Sequence, residues 1–520
     1  MASALMLLVL APTALARELY VGNYEANTVS VLDAATGLPI GAPIPTGNPS
    51  GPYTLAISPD GKRVYTANFD DDSISAIDTQ TKTLVGAPIK VGKGPIGIAI
   101  SPDGTLGYVG NSDDNTVSVV NLVAGTVVGD PIPVPGIGGR PMNPILTPDG
   151  KKLYVPYSGG GGTVVVIDTA TRQVLGAPIP TGNDPFMGAV TPDGRRVFVG
   201  DVDGKGVYAI DTATDQVIGA PIPVGERPAG IAISPDGTRA YVATLGDETV
   251  DVVDTQALVP LGSIKGAGEA EFAALTPDGR RGFVSHFSEG AVQMFDPLGA
   301  QLLGAPIPTG DGASGLAVVP NQPPVAVLSV PKKRIRPGVK VTFSAGGSAD
   351  PDGMIASYGW TFGNDGTATV PTPEVSHVFA RPGVYDVTVT LTDNEGCSTA
   401  YVFTGETAYC NGSSVAAKTL QVSVAFPGVR AKCPKSAKPG RCAIQLQAVA
   451  WKGKGKNRRL KPLSARAGKK LKAGKSAILS LKPKKAFRKR LAKAKKVLVR
   501  ETRTIDGEKR TLVRKLKVVR

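Results

Sequence analysis

The sequence predicts an all-β chain: a seven-bladed β-propeller followed by two smaller β-domains. Three observations carry this. The turn [Ser/Thr]-Pro-Asp-Gly begins at Ser58, Ser101, Thr147, Thr191, Ser234 and Thr276, at steps of 43, 46, 44, 43 and 42 residues. Four β-patterned runs recur in each period, separated by Gly, Pro, Asn and Asp clusters. The array also begins and ends on incomplete units. Periods of about 40–45 residues in a strand-rich sequence mark propeller blades, each a four-stranded sheet unable to bury its own faces alone.

Each element of the period has its own chemistry. In the turn, Pro pre-sets φ, Asp bonds nearby backbone and Gly supplies the left-handed residue. Before it lies a short run of alternating small and aliphatic residues, such as Gly97-Ile-Ala-Ile100 or Gly230-Ile-Ala-Ile233, suited to an innermost strand beside a narrow channel. After it comes an aromatic-Val strand: VYTAN (64–68), YVGN (108–111), YVPY (154–157), FVGD (198–201) and YVAT (241–244). A period-two strand ending in Asp or Asn is third, as in TVSVLD (28–33) and TVVVID (163–168). GAPIPTG or a variant is fourth, at 41–47, 86–92, 129–135, 176–182, 219–225 and 304–310.

The first unit opens at YVGN (20–23) without an innermost strand, and the last run, Gly315-Leu-Ala-Val-Val319, is an innermost strand with nothing after it. Joined, the two ends make one blade and remove exposed sheet edges. Seven innermost strands predict seven blades over 17–320, with 19–45 and 314–319 sharing one.

Together YV-x-N, TVSVID, PIPVG and SPDG resemble the YVTN family of β-propeller repeats over roughly residues 18–320. The resemblance implies an extracellular, often surface-layer or binding protein of bacteria or archaea. The fold is shared with lactonases and quinoprotein dehydrogenases, so an enzyme stays open.

Asn321-Gln-Pro-Pro324 breaks the repeat as a linker. PPVAVLSV (323–330), VTFSAGGSADPDG (341–353), SYGWTFGNDGT (357–367) and SHVFARPGVYDVTVTLTDNEG (376–396) then resemble a PKD domain, which implies an Ig-like β-sandwich over 321–424. Thr361 stands where that family's motif has its first Asp, and one residue is inserted. Trp360 and Tyr385 are expected in the core, and His377 is expected to be a structural strand residue of the motif. From about Ala425 the composition changes: 425–520 holds 33 Lys and Arg against 3 acids, whereas 1–424 holds 25 against 40. Strand-like runs (442–451, 477–482, 497–505, 511–519), an Asp506-Gly507 turn and a short helix over 486–495 predict a small basic β-sandwich rather than a low-complexity tail.

Residues 1–16 form an apolar run ending Ala14-Leu15-Ala16, expected to be a signal peptide although no Lys or Arg precedes it. No other stretch approaches the length of a membrane span. The four cysteines allow three connectivities; proximity favours Cys397–Cys410 and Cys433–Cys442, which fits an exported protein. Metal-binding C-x-x-C spacing is absent.

Chemistry, if any, is expected on the face carrying the second-to-third-strand hairpins. Six of those seven hairpins contain acid, and Asp71, Asp113, Asp114, Asp201, Asp203 and Asp247 are candidate Ca²⁺ ligands there, against the plainer reading that β-turns favour Asp and Asn. Glu269 and Glu271, placed in a blade-to-blade loop, and His286 are the candidate acid/base set if they converge at the channel. There is no C-x-x-C-H haem site, nucleophile elbow or H-E-x-x-H helix. No cofactor other than Ca²⁺ is therefore expected.

The expectation is a monomeric, non-catalytic, secreted or cell-surface protein. Its propeller would recognise a protein or carbohydrate at the acidic face, its PKD domain would be a spacer, and its basic domain would attach to anionic envelope polymers. Nucleic acid is disfavoured because aromatic stacking residues are almost absent from the basic segment. A lactonase-like hydrolase or quinoprotein-like dehydrogenase with a binding appendage is the alternative.

Overall fold

A computed structural model describes residues 17–47, 51–135, 139–330, 335–399, 401–403 and 408–424, and the strands of 428–519. The expected signal peptide (1–16), helix over 486–495, Asp506-Gly507 turn and Cys433–Cys442 pairing fall outside the described residues or, for Cys442, outside the described side chains. Among the described residues the propeller has seven antiparallel sheets.

The ring closes as the incomplete ends predict. Glu18–Asn23 pairs on one side with Thr28–Asp33 and on the other with Ala313–Val318, with Leu19 opposite Val318 and Val21 opposite Leu316. This is blade 1, and the others follow in chain order. Blade 2 opens on Pro52–Ile57, blade 3 on Pro95–Ile100, blade 5 on Pro185–Val190, blade 6 on Pro228–Ile233 and blade 7 on Ala270–Leu275. In blade 4 the innermost strand is interrupted, Gly139–Pro141 and Ile145–Leu146 flanking Met142-Asn-Pro144. Pro144 lacks the N–H a continuous ladder would use. The GAPIPTG strand is likewise split in blades 2, 3 and 5, while in blades 4 and 7 it runs on through a bulge.

Why the Pro-Asp-Gly turn repeats is visible in its hydrogen bonds. Asp60 Oδ1 accepts from the Ser58 hydroxyl (2.7 Å) and from the Lys62 N–H (3.1 Å), while Ser58 Oγ accepts from the Arg63 N–H (2.9 Å). Gly61 stands at φ 68°, in the left-handed region. The same hydroxyl–carboxylate bond recurs from Ser101, Thr147, Thr191, Ser234 and Thr276. The terminal Asp, or Asn121 in blade 3, of each third strand closes the next hairpin in a similar way, as when Asp78 Oδ1 accepts from the N–H groups of Gln80 and Thr81, both at 2.9 Å.

These bonds favour the ionised form of the turn carboxylates. The Thr81 and Thr171 backbone N–H groups hold Asp78 and Asp168 below the usual carboxylate range, and Asp211 and Asp254 are held down likewise by Thr214 and Ala257. At Asp60, Asp103, Asp149 and Asp236 burial opposes ionisation, yet hydrogen bonds to the charged form outweigh it and the pKa is lowered. A depressed folded pKa contributes stability that is full above the unfolded value and lost as pH falls through the folded one. Propeller melting followed by circular dichroism should therefore keep these contributions down to about pH 4 and lose them below it. Loss of the propeller already near pH 6, the range of histidine, would contradict this assignment.

The chain divides into two compact units. The first holds the seven blades with Asp350–Ile355 and Thr392–Ala416, and the second holds Val325–Ala349, Ala356–Leu391 and Ala417 onward. In the second, a sheet in the order Thr367–Val370, Ile355–Phe362, Gly383–Asp393, Ala417–Val424 accompanies the pair Lys340–Ser344 and Glu374–Val378. Trp360, Phe343, Phe362 and Phe379 are fully buried. Trp360 and Tyr385 are buried in this core as expected, Tyr385 donating to the Arg381 carbonyl (2.8 Å), and His377, on the strand Glu374–Val378, stacks on Phe362 with ring centroids 4.0 Å apart. The strands of the basic segment pair in one sheet in the order Arg459–Pro462, Cys442–Lys452, Lys496–Ile505, Glu508–Val519, Gly428–Lys432, Ser476–Ser480, with Ala467–Leu471 also on Cys442–Lys452. Ile505 lies opposite Glu508, the register that a two-residue connection requires.

Candidate ligand-binding face

The residue ending each second strand explains what His286 does. Asn23, Asn68 and Asn111 occupy this place in blades 1 to 3, and each side-chain amide donates to two hydroxyls across its hairpin: Thr28 and Ser30, Ser73 and Ser75, Thr116 and Ser118, all at 2.8–3.0 Å. Asp201 in blade 5 instead accepts from the Asn183 and Asp184 N–H groups. His286 is the blade 7 counterpart, buried, with Nδ1 3.2 Å from Glu289 Oε2. A glycine of the preceding blade packs against it. A Cβ on Gly268 would stand 2.7 Å from the imidazole, as one on Gly92 would stand 2.5 Å from Asn111. His286 thus closes a hairpin and seats a blade junction.

The rim acids are engaged in the same work. Asp71 pairs with Lys90 (2.8 Å) and accepts from Ser73, and Asp113 lies 3.5 Å from Arg140. Asp114 accepts the Lys93 N–H (2.6 Å) and Asp247 the Glu226 N–H (2.8 Å). Asp203 is exposed on its hairpin. Glu269 accepts from the Ser288 hydroxyl (2.8 Å). Among the described residues no group of three or more His, Cys, Asp or Glu side chains forms a metal-holding set.

Glu271 differs from its sequence placement. It lies inside the innermost strand of blade 7, not in a loop, and is 8% exposed. Its Oε1 accepts from the Tyr53 hydroxyl of blade 2 at 2.7 Å. Burial raises the Glu271 pKa, opposed by that hydrogen bond and by the charge of Arg227. Burial, then the neighbouring Glu271 charge, pushes the Tyr53 phenol well up. The Tyr53 ring meets Phe272 edge-on at 5.6 Å and Tyr24 at 5.9 Å, and Tyr24 also meets Phe287 and Phe69. Glu269, Glu271 and His286 therefore have three separate sets of partners: Ser288, Tyr53 and Glu289.

The Asp-Pro-Asp-Gly turn of the PKD-like segment gathers a second set of acids. Asp350 and Asp352, of the Asp-Pro-Asp-Gly turn, lie beside Asp393. Burial, then the charges of Asp352 and Asp393, pushes Asp350 up to about 7. Asp393 is consumed by the Asn321 amide (3.0 Å) and by the Glu395 and Cys397 N–H groups (2.8 Å each). Asp350 Oδ2 and Asp352 Oδ1 are buried with no hydrogen-bond partner among the described residues. The raised pKa of Asp350 fits a proton kept between Asp350 and Asp352, whose side chains are hydrogen-bonded to each other when one is protonated. Arg17 already brings one cation to the same place, bonding Glu395 and lying 3.8 Å from Asp352. Nearby, Cys397 and Cys410 form the expected disulfide, their Cα atoms 5.4 Å apart.

Known proteins resemble the two parts separately. Residues 321–406 match the PKD domain family. The match stops short of Ala417–Val424, the strand that completes the sheet beyond the disulfide hairpin. A microbial collagenase of Vibrio alginolyticus is 38% identical over 79 residues, 15% of this chain and 9% of the collagenase, so the chain spans a small part of that relative. A functionally unknown protein from Desulfotomaculum acetoxidans matches in structure with a TM-score of 0.51 at 18% identity, covering 58% of this chain and 98% of that one. A Bacteroides fragilis protein assigned as a 6-phosphogluconolactonase matches with a TM-score of 0.50 at 20% identity, covering 59% and 99%. At such identities the likeness is one of fold. The chain is an all-β protein whose seven-bladed β-propeller is followed in sequence by a PKD domain and a small basic β-domain.

Proposed function

We propose that this chain is a non-catalytic, secreted or cell-surface binding protein. The propeller is the recognition head, the PKD domain a spacer, and residues 425–520 the foot that attaches to anionic envelope polymers. The observation that carries the reading is the separation of charge, 33 Lys and Arg against 3 acids in the foot and 25 against 40 before it. The segment that carries that excess forms paired strands, which supports a folded domain rather than a tail. Outside a cell the abundant polyanions are wall polymers, acidic polysaccharides and lipid headgroups, and a dense positive field draws them in. The collagenase relative and the disulfide support export. The acid/base reading needed Glu269, Glu271 and His286 to work on one centre, and their separate partners favour binding over catalysis.

The test is retention of the full chain on purified wall material. Screening shortens the reach of exposed charges to roughly 8 Å at physiological salt and about 3 Å at 1 M. Retention should therefore fall steeply across that range, and polyanion competitors should release the protein at low salt. Retention indifferent to salt would overturn the assignment of the foot.

A further inference from the structure

Tyr53 belongs to blade 2 and Glu271 to blade 7, and blade 1 stands between them. Side chains of innermost strands from non-adjacent blades meet only in the axial channel, so the 2.7 Å bond between these two crosses its mouth. Phe272 and Tyr53 stand edge to face there, and Phe186 of blade 5 reaches the same apolar cluster. The mouth is thus lined by aromatic rings around one acid.

That acid is not neutralised within the fold. Glu271 forms no ion pair within 4.0 Å, and its Oε2 has no hydrogen-bond partner among the described residues. Arg227, exposed, is the basic residue whose charge acts on it. A mostly buried carboxylate without a close counter-charge is costly, and the Tyr53 and Phe272 rings beside it are π-systems that attract cations. Outside, Glu25, Asp70 and Glu289 on the hairpins and Glu269 in a blade-to-blade loop line the same face and concentrate cations at the opening.

We propose that the channel mouth binds a quaternary ammonium ion, its charge against Glu271 and its methyl groups against Tyr53, Phe272 and Phe186. A primary ammonium carries three N–H donors to be matched by one carboxylate whose Oε1 already accepts from Tyr53, whereas a quaternary one carries none. The inference deepens the recognition-head reading by giving the head a ligand chemistry, and it rests on that reading.

The experiment titrates the full chain with tetramethylammonium at constant ionic strength, followed by calorimetry. Saturable binding is expected, with Nα-acetyl-lysine methylamide binding more weakly. Glu271→Gln, which keeps the shape and an acceptor for Tyr53, should weaken tetramethylammonium roughly tenfold or more. Phe272→Leu, which keeps apolar volume and removes the ring, should weaken it several-fold, and it guards against a fold defect in the first variant. No saturable binding to the unaltered chain, equal affinity in Glu271→Gln, or tighter binding of the lysine analogue would overturn the proposal. Wall retention does not involve Glu271, so retention intact alongside failed ammonium binding removes this inference and leaves the broader reading standing.

Discussion

Phe362→Ala should lower the stability of the PKD core by about 3–5 kcal/mol, among the largest single losses available to this chain. Phe362 is 1% exposed and lies parallel to Trp360 on one side and to His377 on the other, with Phe343 and Phe379 closing the cluster. Alanine would leave a cavity that four rings cannot collapse into without abandoning their geometry. Urea unfolding followed by tryptophan emission reads the effect, because Trp360 is kept. A shift under about 1 kcal/mol would mean that the cluster is not the core of this domain.

The second large effect concerns ring closure. Leu316 lies on the strand contributed by the far end of the repeat array, opposite Val21, and is packed with Leu19, Phe272 and Phe283. Leu316→Ala should cost about 2–5 kcal/mol of propeller stability. Leu261 is the control, a leucine 52% exposed on an outer strand, where the same change should stay within about 0.5 kcal/mol. Thermal melts of the two variants decide it. Equal effects would remove the claim that the terminal strand completes the core of blade 1.

How much of this was legible in the sequence varies with the kind of contact. The Pro-Asp-Gly turn could be read because its hydrogen bonds join residues within five positions of one another, and the same local solution is repeated six times. Ring closure could be read because an incomplete first unit and an orphan last strand are visible as missing pieces. His286 was harder. At its position the repeats otherwise carry Asn, Tyr, Asp or Thr, and only the hairpin and the glycine packed on it reveal a shared role. Glu271 was misplaced into a loop because Ala-Glu-Phe does not alternate like the other innermost strands, and its partner Tyr53 lies 218 residues away. Asp350 and Asp352 stood in a quoted motif, yet the signal that marks them, two buried oxygens without partners, is a property of packing.

The central claim is that the basic segment holds the protein to anionic envelope material through charge. The measurement that tests it most directly compares retention on purified wall polymer of the full chain and of a chain ending at Val424, across a salt series. The account predicts that the full chain binds at low salt and releases steeply toward 1 M, while the shortened chain fails to bind at any salt. Equal retention of the two at every salt concentration would contradict it and move the anchor to the propeller or the PKD domain.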